Sequence, residues 1–140
     1  KLIIGDYMKS KIIHPKNWKP AKGYANGILA SNGHLFIGGQ IGWDSQKIFN
    51  SNTFIGQMEQ TLINIVQILE EAGGEINNIV RLTWYIKDKK EYLHNQKEIG
   101  KVYQKIMGHH YPAMSMLVVN DLIEDKALLE IEATAIISKN

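Results

Sequence analysis

Between Asn50 and Gly74 the apolar residues Ile55, Met58, Leu62, Ile65, Val66 and Leu69 recur at spacings of three and four. That period predicts a helix of about five turns, with N-cap candidates in Asn50-Ser51-Asn52-Thr53 and a stop at the double glycine Gly73-Gly74. The period then switches to two. Over residues 79–87, Val80, Leu82, Trp84 and Ile86 fall on one side of a strand and Thr83 and Tyr85 on the other. Asp88-Lys89-Lys90-Glu91 opens a second helix, whose stripe of Tyr92, Leu93, Ile99, Val102, Tyr103 and Ile106 runs to Gly108. Upstream, residues 24–30 and 34–41 read as strands about the turn Ser31-Asn32-Gly33. Downstream, residues 113–120 and 127–137 read as two strands joined by an acidic turn. The order ββαβαββ gives an α+β, two-layer fold. Its strand–helix–strand crossovers are right-handed and put both helices on one face of the sheet. The other face, with bulky side chains on residues 79–87, needs a partner, and a second copy of the chain is the economical one.

At 140 residues the chain is one domain, able to bury a core unaided. It has no cysteine, which excludes disulfides and thiolate metal sites. No apolar run reaches the ~18 residues of a membrane span. The run Lys-Leu-Ile-Ile-Gly-Asp is too short for a secretory signal, so a cytoplasmic location is expected. Residues 1–22 carry Lys1, Lys9, Lys11, Lys16, Lys19 and Lys22 against Asp6, a net +5, leaving −3 for the remainder. This stretch reads as a solvated, poorly ordered basic lead-in to a domain over residues 23–140. Basic residues are all lysine except Arg81, with no aromatic RNA-binding pattern, so nucleic acid is not an expected partner.

The last strand carries the first chemical signal. In Leu129-Glu130-Ile131-Glu132-Ala133, two carboxylates share a face opposite Leu129, Ile131 and Ala133. By spacing alone the ordinary reading is solvated glutamates, or carboxylates paired with lysines across an interface. A partly desolvated carboxyl there would instead titrate high and pass protons to and from water. The second signal is Ile37-Gly38-Gly39-Gln40-Ile41-Gly42, where glycines inside an apolar strand mark a bulge or a close approach. No Gly-Lys-Ser/Thr follows, so this is not a phosphate loop. The tandem His109-His110 has no third ligand at useful spacing, and Ser115 has no triad companions; neither a metal site nor a hydrolytic triad is expected.

Tyr111-Pro112-Ala113-Met114-Ser115 followed by Leu129-Glu130-Ile131-Glu132-Ala133 resembles the C-terminal signature of the YjgF family, the reactive-intermediate (Rid) deaminases. The resemblance covers residues 23–137. It implies a chorismate-mutase-like trimer with a cleft at each subunit interface, and hydrolysis of an enamine or imine to a carbonyl and ammonia without a cofactor. Carried over residue by residue, Glu130 matches the glutamate that holds the catalytic water, while Glu132 is structural. Gly38 and Gly39 match the Ser-Gly pair whose backbone lines the cleft, with the serine hydroxyl lost. Tyr24 matches the pocket tyrosine, without the proline that usually precedes it. Met114, Ser115 and Met116 match substrate-binding positions, and here the family's arginine is Met114. A thioether cannot clamp a carboxylate bidentately, and losing that contact costs about 1.5–3 kcal/mol, roughly 10- to 200-fold in binding. The expected ligand is therefore neutral, aromatic or bulkier than a small 2-imino acid, and 2-aminoacrylate a poor substrate. The alternative is a non-catalytic trimer that binds a small metabolite or a partner protein. A ribonuclease activity, known among relatives, would instead act through the lysine-rich lead-in.

Overall fold

A computed structural model of the protein describes residues 9–138. Its elements are β1 (Lys11–Ile13), β2 (Gly27–Leu29), β3 (His34–Gln40), α1 (Phe54–Glu71), β4 (Ile79–Ile86), α2 (Lys89–His94), α3 (Gln96–Met107), β5 (Ala113–Val118) and β6 (Leu129–Ile136), with a 3-10 turn at Ile76–Asn78. One six-stranded sheet runs in the order β1-β2-β3-β6-β4-β5. β4 and β5 are parallel and every other neighbouring pair is antiparallel. This is the α+β, two-layer architecture that the periodicity predicts.

The long helix begins where Thr53 Oγ1 accepts the Gly56 N–H at 3.1 Å. It ends where Gly73, at φ +84°, lets the Gly74 N–H return to the Leu69 carbonyl at 2.9 Å. Its Phe54, Met58, Leu62, Ile65, Ile68 and Leu69 are buried against Leu35, Ile37, Leu82, Trp84, Leu129, Ile131, Ala133 and Ala135 of the sheet. Three of its polar residues are buried as well, two of them because they tie down loops. Asn64 Nδ2 donates to the carbonyls of Ile41 (3.1 Å) and Trp43 (2.7 Å). Gln57 donates to Ser51 O (3.1 Å) and Lys126 O (2.9 Å) and accepts from Leu128 N (2.8 Å). Thr61 is satisfied within the helix, by its own Gln57 carbonyl. The 41–43 and 126–128 segments are thus fixed to the helix, and Ile41 and Trp43 line the cavity described below.

Several expectations are corrected. Within the lead-in, Lys11–Ile13 forms β1, paired to β2 with Ile13 opposite Gly27. Ile13 is fully buried, and Trp18 packs on the core. The lysines masked this because an edge strand needs only one inward residue to hold its register. Residues 1–8 of that lead-in lie outside the described residues. The strand expected over 24–30 shortens to β2, leaving Tyr24 and Asn26 outside the ladder. Val80 is exposed and Ile79 buried in its place, since a β-bulge between Ile79 and Arg81 shifts the alternation by one. The second helix is two: Asn95 leaves the helical region at φ −108°, ψ 11°, and its side chain takes the Glu91 carbonyl at 2.7 Å. That side-chain bond competes with the backbone ladder, and Leu93 ends up exposed.

All the helical packing is on one sheet face. On the opposite face Ile12, Phe36, Leu117 and Ile136 remain between 44% and 69% exposed, an apolar surface that no element among the described residues covers. No helix among the described residues is long and apolar enough to cross a membrane.

Candidate functional site

β3 carries one residue more than its partner β6 between the pairs Ile37–Ala133 and Gln40–Ile131. That bulge is at Gly38-Gly39, and it brings the backbone of Gly39 onto the side chain of Glu130. A Cβ on Gly39 would lie 2.7 Å from Glu130 Cδ and 2.9 Å from Cγ, so no other residue fits beside an undisturbed carboxylate. The bulge is held from behind by buried amides. Gln40 Nε2 donates to Asn26 Oδ1 (3.1 Å) and to Gly38 O (3.2 Å), and the Gly38 N–H donates to Asn26 O (2.9 Å). His14 Nε2–H donates to the Trp18 carbonyl (3.1 Å), which leaves Nδ1 to accept from Asn26 Nδ2 at 3.4 Å. β1 and its following turn therefore support the bulge.

Glu130 is half-buried at the wall of a cavity of about 350 Å³, shared with Tyr24, Asn26, Gly38, Gly39, Gln40, Trp43 and the loop residues Leu122, Ile123 and Glu124. Lys47 Nζ stands 5.5 Å from the Tyr24 ring and 5.6 Å from the Trp43 ring, tying these two aromatic walls together. Burial raises the Glu130 carboxyl above the ordinary carboxylate range, and the charge of Glu132 adds to the rise. Glu132 accepts a 2.8 Å hydrogen bond from the Tyr85 hydroxyl, which stands opposite Glu130 in the ladder. That acceptor pushes the Tyr85 phenol up from its usual value. A carboxyl in this state can hold a water, take its proton and return it.

The anticipated site residues fall into two groups. Glu130, Tyr24, Gly38 and Gly39 meet in the cavity just described. Met114 and Met116 line a separate cavity of about 310 Å³ on the helical face, with Leu82, Trp84 and Tyr103. Strand alternation imposes this separation: Met114 and Met116 pair with the inward Leu82 and Trp84, whereas Glu130 pairs with the outward Tyr85. Ser115, opposite Thr83, is exposed on the open face. Arg81 is exposed between Ala113 and Thr134. Asn26 and Gln40 were missed as supports of the site; the signal for Gln40 was a polar residue closing a glycine run in an apolar strand. Among the described residues no group of three or more His, Asp or Glu is placed to hold a metal.

The mixed six-stranded sheet with its helices on one face is the α+β fold of the YjgF/Rid structures. Residues 15–137 match the family model described as Endoribonuclease L-PSP, and the chain belongs to that family, which comprises the YjgF/RidA proteins. It is 35% identical to a RutC family protein of Pyrococcus horikoshii over 130 residues, 91% of this chain and 98% of the relative. A Rid family protein of Yersinia pestis superposes with a TM-score of 0.79 at 30% identity, covering 92% of this chain and all of the other. E. coli TdcF, solved with bound serine, gives a TM-score of 0.77 at 29% identity over 91% of this chain and 99% of its own.

Proposed function

We propose that the protein is an enamine and imine deaminase. The observation that carries this reading is Glu130, a carboxyl with a raised pKa held against the Gly39 backbone in an open cavity. Water held by the Glu130 carboxylate attacks the imine carbon. Its proton passes to Glu130 as the C–O bond forms, and Glu130 hands that proton on to the nitrogen, which gives a neutral carbinolamine and restores the carboxylate. Glu130 then relays the hydroxyl proton as the C–N bond breaks, leaving a carbonyl compound and ammonia. An enamine first takes a proton at carbon and gives up one from nitrogen to become the imine. Imines are labile in water already, so orientation and proton relay are sufficient catalysis. Tyr24 closes the cavity and the backbone at Gly39 orients the substrate.

In the trimer that the family resemblance implies, the cleft lies between subunits. The Glu130 cavity of one protomer and the Met114–Met116 cavity of the next are its two halves, and the uncovered sheet face supplies the contact. The serine in TdcF supports a small amino-acid-derived ligand for this architecture. The test generates imines in situ with an amino-acid oxidase from small, aliphatic and aromatic amino acids. Acceleration lost in Glu130→Ala supports the reading; acceleration of equal size in that variant overturns it.

Met114 in the arginine's place favours one second reading, a trimer that binds a metabolite without turning it over. Ligands that raise Tm with no imine accelerated would establish it. RNA cleavage, which the family's description raises, would need the lead-in lysines. Because β1 lies within that stretch, its test is Lys16, Lys19 and Lys22→Gln together and not a truncation.

A further inference from the structure

The two aromatic walls of the Glu130 cavity are not held alike. Trp43 is fixed through its backbone: its carbonyl accepts from Asn64 of α1 at 2.7 Å, and it bridges to Phe49. Its ring packs on that of Phe49 with centroids 5.9 Å apart. Tyr24 has no such support. It lies in residues 18–26, which belong to no strand or helix, follows Gly23 at φ +81°, and is half-exposed. Three hydrogen bonds join the chain ahead of it to the turn at 44–48. The Lys19 N–H donates to the Ser45 carbonyl (2.8 Å), Gln46 Nε2 to the Asn17 carbonyl (3.0 Å) and Lys47 Nζ to the Pro20 carbonyl (3.1 Å). The same Lys47 ammonium stands 5.5 Å from the Tyr24 ring and 5.6 Å from that of Trp43.

The backbone of Lys47 is itself in an unfavoured state. Its φ is +61°, a left-handed conformation that suits glycine and costs a residue with a side chain. The turn imposes it. The Asp44 N–H donates to the Ile48 carbonyl and the Lys47 N–H to the Asp44 carbonyl, each at 2.9 Å. Asp44 Oδ1 accepts the N–H groups of Gln46 (2.9 Å) and Ile48 (3.1 Å), and Oδ2 accepts Asn50 Nδ2 (2.8 Å). None of these bonds uses the Lys47 side chain, so glycine would serve the turn at lower cost. Strained residues persist where the surroundings over-determine them, and they gather at functional sites. What lysine adds is an ammonium that reaches Pro20, Tyr24 and Trp43 together.

We propose that Lys47 is a positioning residue of the Glu130 site: its ammonium clasps the loosely held Tyr24 to the fixed Trp43 wall and keeps Tyr24 closed over the substrate. The effect on turnover rests on the deaminase reading, while the clasp is a property of the resting protein. Without it, substrate binds only the fraction of molecules with Tyr24 in place, so the loss falls on KM and spares kcat.

The experiment compares Lys47→Met, which removes the charge, Lys47→Arg, which keeps it, and Lys47→Gly, which also relieves the backbone. ¹H–¹³C NMR of the tyrosine rings, with the Tyr24 signals assigned from Tyr24→Phe, reads the clasp directly. Lys47→Met and Lys47→Gly should move the Tyr24 resonances, and Lys47→Arg should leave them near the wild-type positions. In imine hydrolysis the Met and Gly variants should raise KM about tenfold, the worth of two exposed cation–π contacts, with kcat within about twofold. Lys47→Arg should restore KM. Lys47→Met combined with Tyr24→Ala should be no worse than Tyr24→Ala alone. The Tm of Lys47→Gly should be unchanged or raised, which separates the lost affinity from lost stability. Unmoved Tyr24 resonances in Lys47→Met, no rescue by arginine, or additive losses in the double variant would overturn the proposal. So would a KM effect seen with imines of amino acids and absent with the imine of benzylamine, made in situ by an amine oxidase; Lys47 would then be a ligand for the substrate carboxylate. If the wild type hydrolyses no imine, the deaminase reading fails and the Tyr24 resonances alone decide the clasp.

Discussion

Gly39→Ala should separate catalysis from folding. The new methyl would stand 2.7 Å from Glu130 Cδ, whereas relaxed carbon–carbon contact is near 3.5–4.0 Å, so the carboxyl must retreat by about 1 Å. It sits at the end of a side chain with rotatable bonds, so the retreat costs about 0.5–1.5 kcal/mol in off-rotamer strain, about 2–5 °C in Tm for a domain of this size. A displacement of ~1 Å at the reacting atoms costs about 100-fold in rate. Gly42→Ala is the control. Its methyl would meet the Gln57 Cα at 2.7 Å, and Gln57 belongs to the buried helix that holds Ser51, Lys126 and Leu128. Backbone cannot swing aside, so overpacking there should cost about 1–3 kcal/mol and leave Glu130 in place. Imine hydrolysis and thermal melts on both variants, with Glu130→Ala as a shared background, complete the cycle. If Gly39→Ala retains the wild-type rate, or loses as much rate in the Glu130→Ala background as alone, the contact between Gly39 and Glu130 is not what sets catalysis.

The raised Glu130 pKa fixes two signs. In the folded state the proton is held more tightly than in the unfolded chain, so this contribution to stability is fully present below the ordinary carboxylate pKa and is lost as pH rises through the raised folded value. Melts at a series of pH values should therefore show Glu130→Gln gaining on the wild type as pH rises. Activity, which uses the carboxylate, should climb through the same window, and Glu132→Gln should move that limb to lower pH by removing the charge that adds to the rise; an unmoved limb would discount Glu132. Ile13→Ala should cost about 2–5 kcal/mol in urea unfolding, because β1 buries that side chain completely; a change within 0.5 kcal/mol would return the segment to the solvated lead-in expected from its lysines.

The chain by itself determined the elements that rest on local chemistry. The three-and-four spacing of Met58, Leu62, Ile65 and Leu69 with a Gly73-Gly74 stop specifies α1 because a helix is closed by its own hydrogen bonds. The alternation of Leu129, Ile131 and Ala133 against Glu130 and Glu132 specifies β6 because one face had to be buried. Bulges were legible only as a glycine run at Gly38-Gly39, and not at Val80, where nothing in side-chain chemistry announces the extra residue. β1 was hidden because its pairing energy lies in β2, and because a three-residue strand beside so many lysines shows no alternation of its own. Tertiary structure alone decided that Gly39 presses on Glu130, that Asn26, Gln40 and His14 hold that bulge, and that Met114 and Met116 turn to the face opposite Glu130. Each depends on the register between strands distant in sequence, and register is set by how many inward side chains the shared core accepts, a property of the whole sheet that no single segment carries.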